Sequence, residues 1–296
     1  MQGFKSFSIV IPHKNTPDLL KRCLSSIPIR NDLEIIIVDD NSNPSIVNFD
    51  SFPGKDRCDT RIIFDKTGCG AGNARNIGLK RSCGFWVYFV DADDFLTEKF
   101  NDILNKYSTI RDIDMVFFNA VSFDENNIKK KLIVNRYINN YIKKRPLSLN
   151  VLRFQYWPPW SRMIRRDLLI ENDIWFEEIP VSNDAWAILN ASLYAKSFNV
   201  EPMVVYNYFK PSYGSQTNKA YNIESDILRL EQRFKINNLY SIAGYPFKWP
   251  IKYSFKKILR SEDHRILDIK TQYHYNPIKD YIRLQIYYIG KVIKFI

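Results

Sequence analysis

The sequence predicts an α/β fold, a doubly wound and mostly parallel sheet followed by a basic helical extension. Three observations carry this. Apolar runs of strand length, rich in Ile, Val, Phe and Tyr, alternate with helical patterns through the first 95 or so residues. Two of those runs, at 33–40 and 85–94, end in clustered carboxylates, at the carboxyl edge where open α/β sheets bind ligands. From about Tyr221 the pattern turns helical and strongly basic.

Residues 6–12 form a short strand closed by Pro12. Residues 18–27 set Leu19, Leu20, Cys23 and Leu24 on one helical face, with Thr16 and Pro17 as N-cap and first helical residue. Residues 33–40 are a second buried strand ending in Asp39 and Asp40, and 41–44 a turn. A third strand covers 61–64. The loop bearing Gly68, Gly70 and Gly72 leads into a helix over 73–82. The run 85–90, aromatic and β-branched, reads as a strand buried on both faces that delivers Asp91, Asp93 and Asp94. Crossovers bring both acidic strand ends to one edge.

A helix over 98–107 and a strand over 114–119 follow. The polar, basic segment 125–144 reads as an excursion or hairpin. A helix over 147–156 is broken by Trp157-Pro158-Pro159-Trp160. Then come a short strand at 161–164, a helix at 166–171, an extended stretch at 174–180 and a helix at 184–194 with Ser182 or Asn183 near its cap. The last strand covers 200–208. In the final helix Ile278, Ile282, Ile286, Ile289 and Ile293 share a stripe beside Lys279, Arg283 and Lys294. The expected division is residues 1–220 as one domain and 221–296 as the extension.

Composition narrows the partners. Aromatic residues make up 15% of the 296 positions, a high share that points to surfaces meeting sugars, lipids or partners. The net charge is +11, but from Arg233 onwards thirteen Lys or Arg face four Asp or Glu. That leaves a nearly neutral body with a basic tail, suited to an anionic surface. A nucleic-acid module would interleave base-stacking aromatics in a recognisable pattern, whereas basic and isoleucine-rich faces suit a membrane surface, so no nucleic acid is expected. Cys23, Cys58, Cys69 and Cys83 form no C-x-x-C pair, and His13, His264 and His274 fall at no zinc spacing, which predicts free thiols in a reducing compartment. The N-terminus shows no secretory pattern. No apolar stretch approaches the ~20 residues of a membrane span. A cytoplasmic protein, peripheral on the inner face of the membrane, is the expected location.

The chemistry gathers at the acidic strand ends. Asp91, Asp93 and Asp94 repel one another unless something positive neutralises them, and a hard divalent cation carrying phosphates does so naturally. Asp39 and Asp40 can accept hydrogen bonds from a base or ribose. The glycine loop can bring backbone amides to a ligand, and Arg75, one turn into the helix, suits phosphate or base recognition. His13-Lys14-Asn15 stands where a dehydrogenase needs G-x-G-x-x-G after its first strand. The structural alternatives are an acidic turn, a strand-end turn and a surface loop.

Four segments in order, Phe7-Ser-Ile-Val-Ile-Pro12, Ile37-Val-Asp-Asp-Asn-Ser42, Gly72-Asn-Ala-Arg-Asn-Ile-Gly-Leu79 and Phe89-Val-Asp-Ala-Asp-Asp94, resemble the N-terminal motifs of family 2 glycosyltransferases. Trp160-Ser-Arg-Met-Ile-Arg-Arg166 and Val181-Ser-Asn-Asp184 resemble that family's acceptor-side motifs. The resemblance implies the GT-A fold, a Rossmann-like arrangement. It implies an inverting, metal-dependent transfer of a sugar from a nucleotide-sugar donor, a UDP-sugar, to a hydroxyl of a lipid-linked glycan in bacterial surface polysaccharide (capsule or lipopolysaccharide) synthesis. Asp91 and Asp93 would be the DxD motif, with Asp93 the direct ligand to Mg²⁺ or Mn²⁺. Asp40 with Asp39 would bind the nucleobase, and Pro12, Arg75 and Asp91 would line the nucleotide pocket. Asp184 would deprotonate the acceptor, with an N-terminal helix cap as the alternative; its family neighbour is Glu, and this chain has Asn183. Trp157 and Trp160 would offer a sugar platform, with buried core as the alternative. The competing function is a non-catalytic scaffold subunit of a glycan-assembly complex.

Overall fold

The apolar runs become strands of one nine-stranded sheet. The structure, a computed structural model, describes residues 5–126, 128–210, 223–245 and 248–249. The chain divides into two units, Met1–Asn218 and Lys219–Ile296.

In the first unit β1 (Phe7–His13), β2 (Leu33–Asp40), β3 (Thr60–Asp65) and β4 (Trp86–Phe89) run parallel in the order β3-β2-β1-β4. Every residue of β1, β2 and β4 is buried, as strands covered on both faces require. Pro12 pairs with Val38 of β2 but lies beyond the last β1–β4 pair, Val10 with Phe89, so its missing N–H leaves that ladder intact. The helices α1 (Pro17–Ser25) and α2 (Ala71–Arg81) make the crossovers. Thr16 occupies the N-cap of α1 without a side-chain capping bond.

The other half of the sheet is mixed. After β5 (Phe95–Leu96) and α3 (Lys99–Tyr107), β6 (Met115–Phe123) returns parallel to β4, but β8 (Arg162–Arg165) is inserted antiparallel between them. The strand β9 (Phe198–Phe209) pairs with β6 in parallel, and β5 closes antiparallel on β9. Segment 125–144 is a hairpin and a helix together: β7 (Lys130–Lys131) folds back on β6, then α4 (Ile133–Ile142) follows. Its Asn135 reaches Asn119 of β6. The helices α5 (Ser148–Phe154), α6 (Arg166–Glu171) and α7 (Ala185–Tyr194) complete the unit. Residues 174–180 join no ladder; they are held by Asn76, which accepts from the Phe176 amide at 2.8 Å and donates to its carbonyl at 2.9 Å.

In the second unit α8 (Ile223–Ile242) is fastened to its following turn by Asn237, which donates to the Trp249 carbonyl and accepts from its amide. The isoleucine stripe with Lys279, Arg283 and Lys294 lies outside the described residues.

Two glycines of α2 set how closely that helix packs. A Cβ on Gly78 would overlap Val10 Cγ1 of β1, and one on Gly72 would overlap the Glu177 carbonyl. Val10 is β-branched and completely buried, so it cannot turn away. Overpacking costs about 1–3 kcal/mol, against a gain of ~1 kcal/mol in helix propensity when Gly becomes Ala. Gly78→Ala is therefore expected to lower the denaturant midpoint of unfolding at unchanged slope, as read by circular dichroism.

Candidate active site

The parallel order brings the carboxyl ends of β1, β2 and β4 to one edge, and the start of α2 faces them. Asp39 is consumed by local structure. His13 Nδ1 donates to its Oδ2 at 2.7 Å, and the Ser42 hydroxyl and amide donate at 2.6 and 3.0 Å. The Thr16 amide donates to His13 Nε2, which assigns the Nδ1–H tautomer. Burial alone would raise the Asp39 carboxyl; the bonds from His13 and Ser42 outweigh it and hold the carboxyl below the usual range. Asp40 accepts from Lys14 Nζ and the Gly70 amide, each at 2.9 Å. The glycine loop is thus pinned to β2.

Arg75 is the hinge of the site. Its Nη2 donates to Asp91 Oδ1 at 2.7 Å and its Nη1 to Asn183 Oδ1 at 3.0 Å. The guanidinium stands 5.5 Å from the Phe176 ring centroid, and its Nε is buried without a bond. It thereby joins the end of β4 to the segment that enters α7. Asp184 follows Asn183 directly, half-buried at the N-cap of α7, but makes no side-chain capping bond. Burial lifts its carboxyl to about 6, and Arg75 draws it partway back.

The three carboxylates after β4 have different surroundings. Asp94 is fully buried, accepting from the Tyr206 hydroxyl at 2.5 Å and the Phe209 amide at 2.6 Å. Burial and its acidic neighbours push it well above the usual range. The same Tyr206 oxygen accepts from the Asp91 amide at 3.1 Å. Asp91 is tied to Arg75. Asp93 makes no side-chain bond among the described residues and opens to solvent, yet the surrounding protein and the Asp91 charge lift its carboxyl to about 6.

This distribution fits a divalent cation. No group of three or more His, Cys, Asp or Glu side chains is arranged to hold a metal among the described residues. A cation carried largely by phosphate oxygens needs only one or two carboxylates, and Asp93 offers a solvent-open carboxyl beside Asp91, which is itself paired with Arg75. Asp94 is excluded because both its oxygens face inward.

Trp160 is 5% exposed and stacks on Tyr206 at 4.7 Å and 5°, so it belongs to the core instead of presenting a sugar platform. Trp157 is half-buried against the same core. All four cysteines are free; burial raises the Cys23 thiol out of the reactive range. Sequence reasoning missed His13, Lys14 and Tyr206. His13 and Lys14 were visible as polar residues ending a buried strand. Tyr206 carried no signal within its run.

Residues 8–172 match the model of the family described as glycosyl transferase family 2. The chain belongs to this family. Among curated relatives, this glycosyltransferase is 25% identical over 256 residues to the uncharacterized glycosyltransferase EpsJ of Bacillus subtilis, covering 80% of this chain and 71% of that protein. It is also 25% identical over 229 residues to the poly(ribitol-phosphate) beta-N-acetylglucosaminyltransferase TarS of Staphylococcus aureus, where it spans 73% of this chain but only 37% of TarS. The fold matches the crystal structure of TarS residues 1–349 in complex with UDP-GlcNAc, with a TM-score of 0.62 and 19% identity over 90% of this chain and 73% of that one. It matches the mannosyltransferase PcManGT of Pyrobaculum calidifontis, in complex with GDP-Man and Mn²⁺, at 0.50 and 16% over 98% and 81%. The GT-A fold expected from the motifs is the observed one.

Tyr206 serves both Asp91 and Asp94 in the glycosyltransferase, so its hydroxyl should matter beyond its ring. Tyr206→Phe leaves a buried carboxyl and an amide each short of a partner, an expected loss of about 1–3 kcal/mol. Chemical denaturation of the full chain measures it.

Proposed function

We propose that this glycosyltransferase moves a sugar from a UDP-sugar to a hydroxyl of a glycan acceptor by a single inverting displacement. The observation that carries the reading is the Arg75 bridge: one guanidinium contacts Asp91 of the DxD segment and Asn183, the neighbour of Asp184. The charge for the diphosphate and the candidate base are thereby set on one rigid support. The TarS complex with UDP-GlcNAc supports a uridine nucleotide, and the Mn²⁺ of PcManGT supports a divalent cation, Mg²⁺ or Mn²⁺.

Asp93 and Asp91 would hold that cation, whose chemistry is to neutralise charge on the departing nucleoside diphosphate. Arg75 adds a fixed positive charge beside them. Asp184 accepts the proton of the acceptor hydroxyl as its oxygen bonds to the anomeric carbon. The anomeric bond to phosphate breaks on the opposite face, and its electron pair leaves with the diphosphate. Pro12, Asp40 and Lys14 form the floor for the base, with Asp39 acting behind them through His13. By analogy with TarS, and with the lipid-linked acceptors its motifs imply, the acceptor is a bacterial surface glycan or polyol polymer. Residues 1–220 are the catalytic part in this reading. The basic residues 221–296 lie against an anionic membrane on its cytoplasmic face, each cation near the surface adding about 1 kcal/mol. No described helix is long and apolar enough to cross a membrane.

A panel of nucleotide sugars, read by released nucleoside diphosphate, tests the reaction; no release with any donor overturns it. Asp184→Asn is expected to bind UDP like the wild type and turn over about 10²–10⁴ times more slowly. The carboxyl titrates at about 6 and is active only when ionised, so kcat/KM should be full above that pH and fall as pH drops through it. An Asp184→Asn chain with wild-type turnover would reduce Asp184 to a structural residue. For the tail, the full chain should sediment with phosphatidylserine vesicles and be released as salt rises; sedimentation indifferent to salt, or none, removes the anchor.

A further inference from the structure

Arg22 stands in the last turn of α1. Its Nη2 donates to the backbone carbonyl of Asp93 at 2.6 Å. Its guanidinium carbon lies 5.2, 5.3 and 5.0 Å from the ring centroids of Phe95, Phe123 and Phe209. Those rings come from β5, the end of β6 and the end of β9, and they touch one another: Phe123 sits 4.8 Å from Phe95 and 5.1 Å from Phe209. The Nε–H of Arg22 is buried without a bond.

A leucine or methionine would fill a box of three phenylalanines without stranding a buried donor. What arginine adds is threefold. It bonds the Asp93 peptide, it lies against aromatic faces that attract a planar cation, and it sets a permanent charge behind Asp91, Asp93 and Asp94. The box also belongs to the turn it braces, since Phe209 supplies both a wall and the amide that binds Asp94. The turn is therefore gripped at the Asp93 carbonyl and at the Asp94 carboxylate by groups in mutual contact. The Asp93 side chain itself stays open to solvent.

We propose that Arg22 is a positioning residue that, braced by Phe95, Phe123 and Phe209, fixes the 91–94 turn so that Asp93 meets a divalent cation without reordering the backbone. This rests on the metal reading given under Proposed function. A carboxylate held in place binds a cation without an ordering penalty, and partners that orient metal ligands typically contribute about 10–100-fold in metal affinity.

The test is Mn²⁺ binding in the presence of UDP, followed on the full chain by loss of the free-ion electron paramagnetic resonance signal. Wild type, Asp93→Ala, Arg22→Met and Arg22→Lys are compared, with melting curves for each. The wild type should bind, and Asp93→Ala should not. Arg22→Met should bind about tenfold or more weakly, and its transfer rate should fall at limiting Mn²⁺ and recover as Mn²⁺ is raised. Arg22→Lys, which keeps the charge and a donor but not the planar stack, should fall between. Wild-type Mn²⁺ affinity in Arg22→Met overturns the proposal. If Arg22→Met is unfolded at the assay temperature, Arg22→Lys decides, and wild-type affinity there overturns it. A wild-type chain that binds no Mn²⁺ overturns the metal reading as well.

Discussion

Arg75 holds together two parts of the chain that lie 108 positions apart, and the site depends on that contact. A guanidinium with 7% side-chain exposure would be costly without a counter-charge, and Asp91 supplies it. Removing one partner of a fully buried pair costs about 3–5 kcal/mol; Asp91 retains 27% exposure, so this pair lies below that range. The second donor goes to the neutral Asn183 instead of a second carboxylate. Arg75 therefore keeps more unneutralised positive charge than it would between two acids.

Around that bridge the acidic residues divide by how fully their oxygens are engaged. Asp39, bonded to His13 and Ser42, keeps a lowered carboxyl despite burial. Asp94 serves as a bracket between β4 and β9 through Tyr206 and Phe209. Asp93 and Asp184 have no side-chain donor bonded to them among the described residues, and burial lifts both to about 6. Carboxyls in the first group stabilise the frame. Those in the second, less fully bonded and raised by burial, are the candidates for taking up a cation or a proton.

The sequence made the parallel half readable because its strands are apolar on both faces and end in acids, so period, length and edge chemistry agreed. It singled out Asp91, Asp93 and Asp184 because they stand in a strand-end acidic cluster and at the end of a family-like motif. It did not separate Asp39 from Asp40, since adjacent carboxylates look alike until His13, Ser42, Lys14 and Gly70 are brought to them. Nor did it reveal that β8 slips antiparallel between β4 and β6, because strand order is decided by tertiary pairing and not by local pattern. The helix α4 was hidden by its asparagines, which favour turns locally but here include Asn135, bonded to Asn119. The short β5 is only two residues, and β9 is its ladder partner among the described strands.

The aromatic residues carry the last step. Their abundance suggested surfaces for sugars or lipids, but among the described residues many of the largest lie inside. Trp160 stacks on Tyr206, Tyr88 packs on Phe100, and Trp86 meets Tyr107 edge to face. Each keeps a polar handle in use: Tyr88 donates to the Trp160 carbonyl, Trp86 to the Tyr107 carbonyl and Tyr206 to Asp94. A floor of aliphatic side chains would fill the same space but could not hold a buried carboxyl. Tyr206, a large ring with few rotatable bonds and a hydrogen-bonding tip, stacked on Trp160, sets Asp94 in place at little entropic cost and through it steadies the turn that carries Asp91 and Asp93. Among the described residues, Trp160 and Tyr206 thus serve the rigidity of the acidic edge.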